Sequence, residues 1–161
     1  YGGRFAEYLK LCSEAIGGSD QISTIFAEKQ MCFRSNAGFT KIYALLLDEY
    51  CIYDSRVAAA LCLLIRRCCC ANGFGAVPEP ISFLLMAERG SGRRRNPSQS
   101  PFEFHKTHQS NALHFKSNMR ANWLLDKAIS GTPFEKRYGS NALRALEAAL
   151  FMIGYDVNSE V

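Results

Sequence analysis

The stretch D-S-R-V-A-A-A-L-C-L-L-I-R-R-C-C-C-A-N-G, Asp54 to Gly73, decides how this chain folds. Its centre, Val57 to Ile65, is the longest uninterrupted apolar run in the sequence, closed by Arg56 on one side and Arg66-Arg67 on the other. That run is far short of the roughly 20 residues that cross a bilayer as a helix. Val57, Leu61, Leu64 and Cys68 recur at helical spacing. Asp54 is of the type that caps a helix N-terminus, and Asn72-Gly73-Phe74-Gly75 is a stop. A helix that is apolar nearly all round belongs in the middle of a bundle.

The pattern stays helical in both directions. Upstream, Ser35-Asn36-Ala37-Gly38 reads as a turn, followed by a helix from about Phe39 to Leu47 and a short link through Asp48-Glu49-Tyr50. Further back, Phe5, Leu9, Cys12 and Ile16 predict a helix ended by Gly17-Gly18. Ile22, Ile25, Phe26 and Phe33 predict another, capped by Ser19 or Asp20. Downstream, Pro78 and Pro80 introduce a short helix near Ile81 to Glu88, and Gly90 to Pro101 is a Gly-, Ser-, Arg- and Pro-rich loop. A long helix from about Ser110 to Ile129 carries Leu113, Met119, Trp123 and Leu124, with Trp123 expected in the core. After Gly131-Thr132-Pro133, a last helix places Leu143, Leu146, Leu150 and Ile153 on one face, with Gly154 as its stop. No alternating segment competes. The expected fold is all-α, a compact bundle of about six or seven helices forming a single domain across the chain.

With 161 residues, 48% hydrophobic and 21% charged, the chain has the composition of a soluble globular domain able to bury a core. The N-terminus carries no basic-then-apolar signal, and a first residue of Tyr1 marks an expected processed or excised piece. Of the seven cysteines three are consecutive, Cys68 to Cys70, and none forms a C-x-x-C pair. They read as structural thiols of a reducing, cytoplasmic compartment, and no metal is expected.

The net charge of +4 is unevenly distributed. From Arg89 to Leu125 the cations are Arg89, Arg93, Arg94, Arg95, Lys106, Lys116 and Arg120 against the single acid Glu103. A basic third on a slightly acidic body is the footprint of a polyanion binder. A basic surface loop without a partner is the plainer alternative.

Two single charges stand at the heads of apolar segments, Lys41 and Asp54. A lysine amine attacks carbon only when unprotonated, which requires surroundings that lower its pKa. Phe39, Ile42 and Tyr43 flank Lys41, and a helix N-terminus disfavours a nearby cation. Asp54 could stabilise a developing cation or activate a nucleophile. Equally, a lysine near a helix start ordinarily snorkels into water, and an aspartate before S-R-V is an ordinary N-cap.

Thr40-Lys41-Ile42 and Ile52-Tyr53-Asp54-Ser55-Arg56-Val57 resemble two strings of the helix-hairpin-helix DNA glycosylases, nearest to the 8-oxoguanine DNA glycosylase branch. Arg94 to Ser98 and Asn118 to Leu125 are similar to strings of a bacterial subgroup of that fold. The specific match covers about 25 residues, judged against motif strings of the kind that carry a mechanism. The resemblance implies that Lys41 attacks the anomeric carbon of an extruded nucleotide, forming a Schiff base with the sugar. Asp54 would stabilise positive charge on the sugar and orient or deprotonate the amine. Strand-cleaving lyase activity on the abasic product would follow from a covalent lysine. It implies a duplex DNA partner carrying an oxidised or otherwise modified base, a monomer without cofactor, and a bacterial cytoplasm with nucleoid association on DNA. The family hairpin P-G-[VI]-G is replaced here by Asn36, Ala37, Gly38 and Phe39, with Gly38 expected to supply a related turn.

Gly38, Thr40, Arg56, Arg93, Arg94, Arg95, Lys106, Lys116 and Arg120 are the expected DNA contacts. Phe102 and Phe104, beside the basic run, are candidates for stacking on an extruded base, with His105 as a pocket residue. His105 and His108 have H-x-x-H spacing but no acidic or cysteine partner nearby, and the S-G-R-R-R-N-P-S loop lacks a P-loop ending. The alternatives to a glycosylase are a non-catalytic helical nucleic-acid-binding domain, and a protein-interaction module whose basic loop meets an acidic partner.

Overall fold

A computed structural model describes residues 5–10, 12, 34–86, 95–106 and 110–157. The fold is all-α. Its elements are α1 (Ala37–Leu46), α2 (Ser55–Ala71), a 3₁₀ turn (Glu79–Ile81), α3 (Asn111–Ile129), α4 (Pro133–Tyr138), a second 3₁₀ turn (Gly139–Asn141) and α5 (Ala142–Ile153). Residues 5–10 are helical as expected, whereas the expected helix around Ile22 to Phe33, the Gly17-Gly18 stop, Arg93, Arg94 and His108 lie outside the described residues.

The deciding stretch behaves as its residues require. Asp54 caps α2, its Oδ1 accepting from the amides of Arg56 at 2.9 Å and Val57 at 3.1 Å. Asn72 closes the other end, and Gly73 beyond it adopts the left-handed conformation that favours glycine, φ +69°. From Val57 to Leu63 every residue of α2 is buried. The C-terminal half differs from expectation: Leu64 and Cys68 face solvent, and only Ile65 and Cys69 turn inward.

The main core lies where α2 crosses α5 and receives α3, joining Val57, Leu61 and Ile65 to Ala121, Leu125 and Leu150. The crossing is close at one point. A Cβ on Gly154 would stand 1.8 Å from the Arg56 carbonyl oxygen, so the C-terminal end of α5 can reach the start of α2 only without a side chain there. A second core, Tyr43, Tyr50, Phe115 and Met119, binds α1 to α3 and receives Tyr8 and Leu9. Tyr8 and Tyr43 join their hydroxyls at 3.2 Å.

Three expectations are corrected. The turn before Lys41 is already helix: Ala37 and Gly38 belong to α1, because Asn36 caps it from an extended conformation. Of the short helix expected near Ile81 to Glu88, the described part, to Met86, is instead a 3₁₀ turn followed by extended chain, where Leu85 donates to the His105 carbonyl at 2.8 Å. Pro78 and Pro80 fix that turn, and Phe83 and Leu85 then turn inward on either side of the half-buried Leu84, the period of extended chain. Third, Trp123 is 49% exposed, because the buried face of α3 passes through Ser117, Asn118, Ala121, Asn122 and Leu125.

Candidate active site at the α1–α2 junction

The link between α1 and α2 has almost no regular structure of its own, and its backbone groups are satisfied by side chains from three helices. The Cys51 amide donates to Asn122 Oδ1 at 2.6 Å and its carbonyl accepts from Asn118 Nδ2 at 3.0 Å. The Ile52 amide donates to Glu147 Oε2 at 2.6 Å, and the Tyr53 amide to Thr40 Oγ1 at 3.3 Å. Arg144 supports Glu147 at 3.1 Å and also donates to the carbonyls of Ala44 and Leu47 at the end of α1. Buried amides left unpaired would be costly, so this cradle fixes the chain that delivers Asp54.

Thr40 and Tyr53 each immediately precede one of the two singled-out charges. Thr40 is fully buried, its hydroxyl donating to the Ala37 carbonyl at 3.3 Å and accepting from Tyr53. It therefore does not reach solvent as the expected DNA contact. Tyr53 is also fully buried, donating from its hydroxyl to the Leu84 carbonyl at 2.8 Å. The bond between them ties the turn of α1 that carries Lys41 to the residue before Asp54.

Asp54 is 8% exposed. Both of its amide bonds fall on Oδ1, and Oδ2 takes no hydrogen bond among the described residues. Lys41 is exposed, and among the described residues no ion pair joins its amine to a carboxylate. The apolar shielding expected around it is not observed, since Phe39 and Tyr43 pack with Tyr8 and Tyr50. The amides expected to grip a phosphate at the turn are also occupied: Gly38 and Phe39 donate to Asn36 Oδ1 at 2.9 and 3.1 Å.

Beneath the junction, His114 is buried against Tyr53 with ring centroids 5.5 Å apart, and its Nδ1 lies 2.7 Å from the Ser35 hydroxyl. Burial lowers its pKa to about 4, with the Tyr53 backbone opposing the shift in part. Among the described residues its buried Nε2 makes no hydrogen bond of normal geometry. Burial also raises the thiol pKa of Cys51, to about 12, and of Cys62, which keeps both protonated and unreactive.

Among the described cations of the basic third, Arg95 is bonded at the junction. Arg95 donates to Ser55 Oγ at 2.5 Å, directly after Asp54, and Arg66 holds the following loop through the Pro97 carbonyl at 2.9 Å and Gln99 at 3.0 Å. Lys106 and His105 are exposed. Lys116 and Arg120, one turn apart on α3, both meet Glu79. Arg56 departs from expectation: its guanidinium lies over the rings of Phe151 at 4.1 Å and Tyr155 at 5.0 Å, where it packs α2 on α5. Phe102 and Phe104 are core side chains at 7% and 6% exposure, not stacking residues on a loop surface. Ser98 holds the backbone of Phe104, and Gln99 and Phe102 exchange hydrogen bonds, turning both rings inward.

A cavity of about 720 Å³ opens elsewhere, between the link and α3, α4 and α5. Asp48, Glu49, Asp126 and Glu135 line it without a cation, beside the exposed Trp123. Its charge is opposite to that needed for phosphate, and neither Lys41 nor Asp54 lines it.

Asn118, Asn122 and Glu147 are the site-building residues that sequence reasoning passed over. The signal available was an asparagine pair at i, i+4 facing a polar-poor link whose amides needed partners. No protein-family model matches this chain, and no curated protein or solved structure shows significant similarity to it.

Proposed function

We propose that this domain is a DNA glycosylase of the helix-hairpin-helix type, acting on a modified base, with Lys41 as nucleophile and Asp54 as its carboxylate partner. The observation that carries the reading is the hydrogen bond from the Tyr53 amide to Thr40 Oγ1, which ties together the residues preceding the two charges. Arg95, bonded to Ser55 next to Asp54, brings a cation of the basic segment to the same junction, as a site for the sugar-phosphate backbone requires. The exposed amine of Lys41 is accessible to an extruded nucleotide, which duplex geometry demands. Lys41 would attack the anomeric carbon as the glycosidic bond breaks, and Asp54 would offset the positive charge on the sugar.

Borohydride trapping on duplexes carrying different modified bases tests this. A covalent adduct lost in Lys41→Gln is the expected result. Base release and trapping absent across an entire lesion panel would overturn it.

A second reading, a non-catalytic nucleic-acid-binding domain, is favoured by a different observation. Phe102 and Phe104 are in the core and Oδ1 of Asp54 is engaged in capping α2, so neither of the two expected stacking residues nor a fully free Asp54 carboxylate stands at the junction. Salt-sensitive duplex binding without trapping distinguishes it.

A further inference from the structure

The 3₁₀ turn Glu79–Ile81 presents its first residue to two cations of α3, Lys116 and Arg120. Arg120 Nη2 lies 3.0 and 3.2 Å from the two carboxylate oxygens of Glu79, while its Nη1 donates to the Glu79 backbone carbonyl at 3.3 Å. Lys116 Nζ stands 3.8 Å from the same carboxylate. The Glu79 side chain is 72% exposed and Lys116 52%, whereas Arg120 is only 24% exposed. An acid thus sits on the surface between two cations of the basic third, and Glu103 is the only acid the sequence places within that third.

We propose that Glu79 is an intramolecular stand-in for a backbone phosphate: it occupies a Lys116–Arg120 anion site and is displaced when nucleic acid binds. The inference rests on the nucleic-acid reading above and names a regulatory contact within it. Two features make the exchange feasible. Exposed ion pairs contribute little net stability, so releasing the carboxylate is cheap. Pro78 and Pro80 hold the turn, so the Glu79 carbonyl keeps its bond to Nη1 when the side chain swings away. The guanidinium then stays oriented, with Nη2 and the Lys116 ammonium directed at the incoming oxyanion.

The salt dependence of binding to a short duplex tests this in Glu79→Gln, Glu103→Gln, and Glu79→Gln combined with Arg120→Gln. In the wild-type chain the released Glu79 recaptures a cation from solution, which offsets one of those the DNA releases. Glu79→Gln should therefore bind severalfold tighter at low salt and steepen the log–log slope. Glu103→Gln, an equal charge change at an exposed position with no ion pair to Lys116 or Arg120 among the described residues, should give a smaller gain and no such steepening. The gain should vanish when Arg120 is also removed. Equal effects from both glutamates, or a gain that survives Arg120→Gln, would overturn the proposal while leaving the binding reading intact. No duplex binding by any variant at low salt would overturn both. Unchanged thermal melts establish that each variant is folded.

Discussion

Thr40 and Tyr53 are joined by a hydrogen bond of 3.3 Å, buried at both ends, across the 13 residues that also separate Lys41 from Asp54. The bond makes the spacing of the two charges a property of the core and not of their own side chains. Thr40→Val keeps the shape and removes the acceptor, leaving the Tyr53 amide unpaired. The expected cost is about 1–3 kcal/mol in urea unfolding, with Thr40→Ser restoring most of it. Equal stability of the valine and serine variants would show that the bond contributes nothing.

Asp54 serves α2 as its cap, and the proposed chemistry asks it to act as a carboxylate as well. These roles separate by substitution. Asp54→Ala loses the cap and should cost about 0.5–2 kcal/mol, whereas Asp54→Asn caps as well as aspartate. Under the glycosylase reading Asp54→Asn folds normally and loses most borohydride trapping. Trapping retained in a stable Asp54→Asn chain removes Asp54 from the chemistry and leaves it a cap.

Much of this architecture is legible locally because local physics decides it. Asp54 caps α2, the long helix begins after Ser110, and Gly154 ends α5 where the apolar period ends, each where its sequence position announces. What sequence could not give is the partner of each side chain. Phe102 and Phe104 sit in a basic, loop-like composition, yet their burial is set by the inward turn between Gln99 and Phe102. Trp123 shares its period with Met119, but the core face of α3 includes two asparagines because the link between α1 and α2 demands hydrogen bonds there. Periodicity marks a face, and only tertiary contact says whether that face meets oil or amide. For the same reason the pairing of Arg56 with Phe151 and Tyr155, distant in sequence, left no local trace.

His114 gives the junction a pH dependence whose sign follows from its environment. Its folded pKa of about 4 lies below the ordinary 6.5, so the unfolded chain binds the proton first on acidification. Its contribution to stability is complete above pH 6.5 and is lost as pH falls towards 4. A shift of that size corresponds to roughly 3 kcal/mol across the window. Urea midpoints between pH 7.5 and 4.5 should fall more steeply for the wild-type chain than for His114→Gln. Parallel curves for the two would mean that His114 is not held neutral by its burial.

Gly154 and Gly139 predict two different kinds of glycine damage. At Gly154 the φ of −77° suits any residue, but an alanine Cβ would meet the Arg56 carbonyl at 1.8 Å, and a backbone atom cannot rotate aside. Gly154→Ala must therefore part α5 from α2, loosening the stack of Arg56 on Phe151 and Tyr155 along with the core beneath it. Overpacking of this kind costs about 1–3 kcal/mol, and the rigid neighbour argues for the upper end. Gly139 has open space around its Cβ position but φ +54° and ψ −133°, a backbone region nearly confined to glycine, so alanine there meets only a backbone cost of about 1–3 kcal/mol. The two should differ in structure more than in energy. Gly154→Ala should perturb amide resonances of both Arg56, 98 residues away in sequence, and its neighbours in α2, while Gly139→Ala leaves them in place. Undisturbed α2 resonances in a folded Gly154→Ala chain would contradict the close approach of the two helices.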